Sequence, residues 1–153
     1  MNSKGFTLIE LVVVIVILGI LAVTAVPKYI NLQADARTAT LEGVKAAMQG
    51  ASALVYGKSI VAGNQKLSSA SITLSDGTEV DISYGYPLSN KSDWDPILQL
   101  DSTDFRMLTN SSGVLLIYPK SMGIVLNENA DCIVTYDTAT ETTKPVITVN
   151  PCV

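Results

Sequence analysis

The chain has 153 residues, enough for one domain with its own core plus an appendage, but short for two domains. Hydrophobic residues make up 48% and charged ones 16%, against roughly 25% charged in ordinary soluble proteins, so apolar surface must lie outside a normal core. Ten basic against fourteen acidic side chains, with no Lys or Arg block, argue against nucleic acid as a constitutive partner, and the complete lack of histidine excludes His-based triads, His general bases and His-containing metal sites.

Phe6 to Val26 is almost wholly apolar, and Glu10 is the only charged residue between Lys4 and Lys28. At about 1.5 Å per residue such a helix crosses a hydrocarbon layer of about 30 Å, so it reads as a single membrane span. A cleavable secretory signal, with an A-x-A site near Ala22 to Ala25, is the alternative; the run exceeds the usual apolar length of about 7–15 residues for such signals. Lys4 on the amino side favours a cytoplasmic N-terminus, with the rest of the chain across the membrane. An acid at the centre of a span costs on the order of 3 kcal/mol, less near an end. Two readings of Glu10 therefore stand on the residues alone. Either it has a charged partner, or it sits near the interface or in the first helical turn, where the helix dipole and free N–H groups favour it.

The stretch Lys4-Gly5-Phe6-Thr7-Leu8-Ile9-Glu10 resembles the cleavage and assembly motif shared by type IV pilins and the pseudopilins of type II secretion. The resemblance implies that a prepilin peptidase removes residues 1–5 by cutting between Gly5 and Phe6 and methylates the new amine of Phe6. It also implies that Glu10 pairs with that amine on a neighbouring subunit. Opposite charges about 4 Å apart at an effective dielectric of about 20 attract by roughly 4 kcal/mol before desolvation. Pairing within one chain, four residues apart, is the competing account. The start TLIELVVVIVILGILAVTAVPKYINLQADAR and the run QGASALVYGKS look like the mannose-sensitive haemagglutinin pilin subfamily, which implies surface attachment and biofilm formation.

Pro27 lacks an N–H and crowds the Val23 carbonyl, which predicts a kink, and Gly19 weakens the preceding turns. The family resemblance extends this to a loss of helicity between Gly19 and Pro27 in filaments. Leu41, Val44, Met48, Ala51 and Val55 then recur at steps of three and four, with Lys45 and Gln49 off the stripe, so an amphipathic helix is expected over 27–57, to about Tyr56, stopped by Gly57. Gly43, Ala47 and Ala51 are small at four-residue spacing, which would permit close packing. From about residue 70 the pattern is that of strands: Ile72-Thr73-Leu74 and Glu79-Val80-Asp81-Ile82 flank an Asp76-Gly77 turn. Val114 to Tyr118, Ile124 to Leu126, Cys132 to Tyr136 and Val146 to Val149 follow, with Trp94 and Phe105 anchoring a more irregular middle onto the core.

Cys132 and Cys152 bracket the last pair of strands. In a hairpin centred near residue 142 they face one another, and an extracytoplasmic setting is oxidising, so a disulfide is expected. On the chain-entropy model it stabilises by roughly 3 kcal/mol. Two buried free thiols are the alternative. The pair also resembles the C-terminal disulfide region of type IV pilins, which major pseudopilins generally lack. Tyr56-Gly57-Lys58-Ser59 lacks the first glycine of a phosphate-binding loop, and Asn127, Asn129 and Asp131 lack the glycine and bidentate acid of a calcium loop.

The sequence thus points to an α+β fold: a long N-terminal helix, its first half (6–26) transmembrane before assembly and filament core after it, on a small antiparallel sheet domain over 58–153. The resemblance implies no enzyme, cofactor or metal. The implied partners are a homopolymeric filament, the peptidase, the inner-membrane assembly machinery and the membrane itself. A precursor in the inner membrane with its C-terminal domain periplasmic, then an extracellular filament, follows. A pseudopilin is the alternative, and a single-span anchored periplasmic domain is a further one.

Overall fold

The computed structural model describes residues 5–153, the side chains at 26–28, 30 and 31 excepted. Residues 1–4 of the expected leader 1–5, Lys4 among them, and the Pro27 ring therefore lie outside the described residues. Helix α1 runs from Leu8 to Ala62, 55 residues, and its backbone is helical through Gly19 and Pro27. Its first part, Leu8–Ala25, has a mean hydropathy of 3.0 and buries no residue against the rest of the chain. By length and composition it is able to cross a membrane.

The second part of α1 builds the core. Leu41, Val44, Met48, Ser52, Val55 and Ser59 are all buried, one stripe at helical spacing. That stripe explains why Gly57 does not stop the helix. Val55 and Ser59 still face the domain, so one more turn packs before Gly63 closes the helix in the left-handed region at φ 74°, its N–H donating to the Ile60 carbonyl. The small-residue spacing is not used within the subunit either: Gly43 and Ala47 are exposed, and only Ala51 touches the core.

The expected single sheet is in fact two, each antiparallel. Strands β1 (Ala70–Thr73), β2 (Glu79–Ser83) and β3 (Tyr86–Pro87) form one in that order; β4 (Phe105–Thr109), β5 (Leu115–Pro119), β6 (Ile133–Asp137) and β7 (Val146–Asn150) form the other. Helix α2, Lys91–Leu98, links them. The β1–β2 hairpin turns at Asp76-Gly77, with Gly77 at φ 87°, as the sequence indicates. The β2–β3 hairpin turns on Tyr84 and Gly85, at φ 49° and 86°. Positive φ at both central positions is the mark of a type I′ turn, here carried by Tyr-Gly in place of the commoner Asn-Gly.

Leu115 and Ile117 of β5 face α1 with Trp94, Val134 and Tyr136, while Val114, Leu116 and Tyr118 face the other way into a second cluster with Ile133. Val125 and Ala130 cover that second face. The segment Ile124 to Leu126, expected as a strand, is therefore extended cover on a sheet face and joins no ladder. Val125 points inward and its N–H donates to the Tyr118 hydroxyl at 3.1 Å, whereas Ile124 and Leu126 face solvent.

Side chains couple the two sheets where no ladder does. The Tyr136 hydroxyl donates to the Pro87 carbonyl at 2.6 Å, and Trp94 packs edge-on against Tyr136 with ring centroids 4.6 Å apart. Ser89 is a second tie. Its hydroxyl donates to the Gly113 carbonyl, its N–H donates to Thr138 Oγ1, and its own carbonyl accepts from Thr109 Oγ1.

Cys132 and Cys152 form a disulfide. The β6–β7 register pairs Ile133 with Asn150, which places Pro151 opposite Cys132, one residue from the symmetric arrangement expected. Cys132 takes a left-handed conformation, φ 61°, and donates its N–H to the Pro151 carbonyl. The next amide, that of Cys152, donates to Thr38 Oγ1 at 2.9 Å, fastening the C-terminal end to α1.

Two predictions follow from this packing. A Cβ at Gly85 would lie 2.8 Å from the Tyr56 ring at a backbone conformation that L-residues resist, so Gly85→Ala should destabilise the full chain by ~2 kcal/mol in urea unfolding. Asp93 is buried with one carboxylate oxygen accepting from the Asp81 N–H and the other unpartnered; burial, then the nearby Asp81 charge, pushes its carboxyl above the usual range. Raised in the folded state, such an acid favours folding below its ordinary value, and this contribution is lost as pH rises through its folded value. Asp93→Asn should match the wild type in Tm near pH 4 and exceed it at pH 7.

Candidate functional site

The N-terminal segment carries the chemistry. Thr7 is the N-cap of α1, with φ −81° and ψ 148°, and Glu10 stands at the third helical position. The Glu10 N–H donates to Thr7 Oγ1 at 3.3 Å. In return Glu10 Oε2 accepts from the Thr7 N–H and from the Thr7 hydroxyl, each at 2.8 Å. Together these bonds form a capping box. Its signature, Thr-x-x-Glu before an apolar run, is present in Thr7-Leu8-Ile9-Glu10, and Thr7 is the site residue that reading by charge alone passes over.

Of the two readings of Glu10, its place in the first turn is the one realised in the single chain. The carboxylate is nonetheless only half used. Glu10 Oε1 has no hydrogen-bond partner among the described residues, and the side chain is exposed beside Phe6, Ile9, Val13 and Val14, which border a shallow apolar depression. Gly5 and Phe6 precede the helix, both exposed, so the Gly5–Phe6 peptide lies in non-helical chain. The helix begins at Leu8, two residues later than the apolar run does.

Gly19 and Pro27 lie further along the same helix, within continuous helical backbone. The Thr24 hydroxyl donates to the Leu21 carbonyl at 3.0 Å, one turn before the proline. The Cys132–Cys152 disulfide belongs to the opposite end of the chain and closes the sheet domain on Thr38. Asn127, Asn129 and Asp131 form a turn, with the Asn129 N–H donating to Asn127 Oδ1. Among the described residues no group of three or more His, Cys, Asp or Glu is placed to hold a metal ion.

Residues 1–26 match the prokaryotic N-terminal methylation motif. The chain is 48% identical over 54 residues to the type IV narrow pilus major component PilA5 of Thermus thermophilus, which covers 35% of this chain and 47% of that protein. It is 43% identical over 61 residues to fimbrial proteins of Pseudomonas aeruginosa, covering 39% of this chain and 40% of theirs. The chain thus spans less than half the length of the relatives it matches. No solved structure gives a match. By the motif and these relatives, the N-terminal segment is similar to that of type IV pilus and fimbrial proteins.

Proposed function

We propose that the chain is the structural subunit of a type IV pilus, polymerising noncovalently into a surface filament. The observation that carries this is Leu8–Ala25: an apolar helix no side chain of which the subunit buries, opened by a half-satisfied Glu10 inside a methylation motif. On this reading residues 1–5 are the leader, 6–26 the membrane and filament-core helix, 27–57 its amphipathic continuation, and 58–153 the outward domain closed by Cys132 and Cys152.

Prepilin peptidase cuts between Gly5 and Phe6, and the Phe6 amine is methylated. Until then Phe6 carries no charge, and the nearest positive side chain is Lys4 in the leader. Afterwards the amine of one subunit meets the unpartnered oxygen of Glu10 on another, and the pair sets the stagger of filament growth. Lipid is as apolar as leucine, so exchanging lipid contact for helix contact gives little hydrophobic gain, and specificity falls to packing and to this charge pair. Gly19 and Pro27 are the points at which the helix yields during that exchange, Pro27 because the Val23 carbonyl has no amide to receive from it. The precursor sits in the inner membrane with its domain periplasmic, and the assembly machinery there draws it into an extracellular filament. The likeness to the mannose-sensitive haemagglutinin subfamily supports attachment and biofilm formation as the use. The disulfide weighs against a pseudopilin.

The mature N-terminus tests the premise: mass spectrometry should find N-methyl-Phe6, and an intact leader removes it. Glu10→Val should insert and be processed normally yet yield at least tenfold fewer fibres in a sheared fraction viewed by electron microscopy. Normal fibres from that variant would exclude the charge pair.

A further inference from the structure

We propose that Thr7 is a positioning residue for assembly: it holds the Glu10 carboxylate so that Oε1, and not Oε2, is presented to the incoming amine. The inference rests on the reading of Glu10 as half of an inter-subunit pair.

The geometry is closed on one side and open on the other. The Thr7 hydroxyl accepts from the Glu10 N–H, which directs its own proton to Glu10 Oε2, and the Thr7 N–H meets the same oxygen. Two hydrogen bonds thus hold one carboxylate oxygen and a third orients the Thr7 hydroxyl that makes one of them, while the other oxygen has no partner among the described residues. A Glu side chain has rotamer freedom worth on the order of 1.5–2 kcal/mol when lost, and here it is lost before any partner arrives. Thr7 is also β-branched and stiff at χ1, which makes it a firmer anchor than an unbranched hydroxyl.

The box does not depend on the leader. The Thr7 amide is formed with the Phe6 carbonyl, so a cut between Gly5 and Phe6 leaves all three bonds in place and creates the amine one residue upstream. That an amine is made there has independent support in the methylation motif over residues 1–26. In lipid, a carboxylate with no donors is costly. Thr7 supplies two donors without using the oxygen that assembly needs.

Thr7→Val, Thr7→Ser and Thr7→Asp are tested in the full-length chain in its native host, beside Glu10→Val. Filament yield in the sheared fraction is normalised to processed, methylated subunit in the membrane, measured by mass spectrometry, so that any effect on leader removal is divided out. Thr7→Val should lower the normalised yield about tenfold, and Thr7→Ser should restore it to within about twofold of wild type. Thr7→Asp separates positioning from helix capping. Aspartate is among the strongest N-caps, so a purely structural role predicts wild-type yield, whereas a positioning role predicts a yield at or below that of Thr7→Val, because aspartate repels Glu10 and donates nothing from its side chain. Wild-type yield from either Thr7→Val or Thr7→Asp, with Glu10→Val still defective, overturns the proposal for Thr7 alone. Wild-type yield from Glu10→Val overturns the charge pair beneath it.

Discussion

A helix that its own subunit cannot bury is the constraint on which the rest of this structure depends. Leu8–Ala25 offers apolar side chains all round, so no single face of it is matched to the sheet domain, and the chain needs lipid or other helices to remain soluble. Further along the same helix the pattern narrows to one stripe from Leu41 to Ser59, and there the domain takes hold. Thr38 marks the change of surroundings. It lies one turn before Leu41, the first fully buried residue of the stripe, and it receives the Cys152 amide, so the C-terminal strand is tied to the helix where helix and domain part.

The domain is correspondingly built to act as one body on that stripe. Its two sheets share no ladder, and a small core divided in this way would be expected to hinge. Three kinds of contact oppose hinging. Trp94 and Tyr136 interlock in the core, the Tyr136 hydroxyl reaches across to Pro87, and Ser89 gathers the β4–β5 turn and the start of the β6–β7 loop around one residue. The Tyr136 and Ser89 hydroxyls each have a specific backbone partner, which is costly to leave unmade and therefore rigidifying, and the two rings add close packing.

The sequence was most legible where one physical signal dominated. The apolar run, the helical stripe and the Asp-Gly hairpin all follow from periodicity or turn chemistry, and the motif at Gly5 to Glu10 is specific. What escaped it was set by tertiary context. The helix passes Gly57 because Ser59, a polar residue outside any apolar pattern, is buried. Ile124 to Leu126 has the composition of a strand but serves as a cover, since β4 and β6 already pair β5 on both sides and Pro119 with a 3-10 turn over Lys120–Met122 leads the chain out of the sheet. The β2–β3 turn uses Tyr84, whose positive φ no composition rule anticipates. Strand β4, Phe105–Thr109, carries Arg106 and Thr109 among its apolar residues, which masks the alternation. At the site, charge drew attention to Glu10, while the hydroxyl that organises it is read only from the Thr-x-x-Glu spacing.

A chain that leaves an apolar helix uncovered must also avoid associating through its sheets. Edge strands present unpaired backbone groups to any second copy, and a filament would hold many copies at close range. Here one edge is partly occupied from within. Along β1 the Ser71 carbonyl accepts from Asn64 Nδ2 and the Thr73 carbonyl from Lys58 Nζ, two side chains that hang from the last turn of α1 and the residues just beyond it. Strand β7, an edge of the other sheet, packs the face carrying Ile147 and Val149 toward the α1 core, and the disulfide fixes its exit. The same helix that leaves its first half uncovered thus supplies, from its second half and the residues just beyond it, side chains that cap carbonyls along the β1 edge, which lowers the capacity of that strand to pair with a second copy.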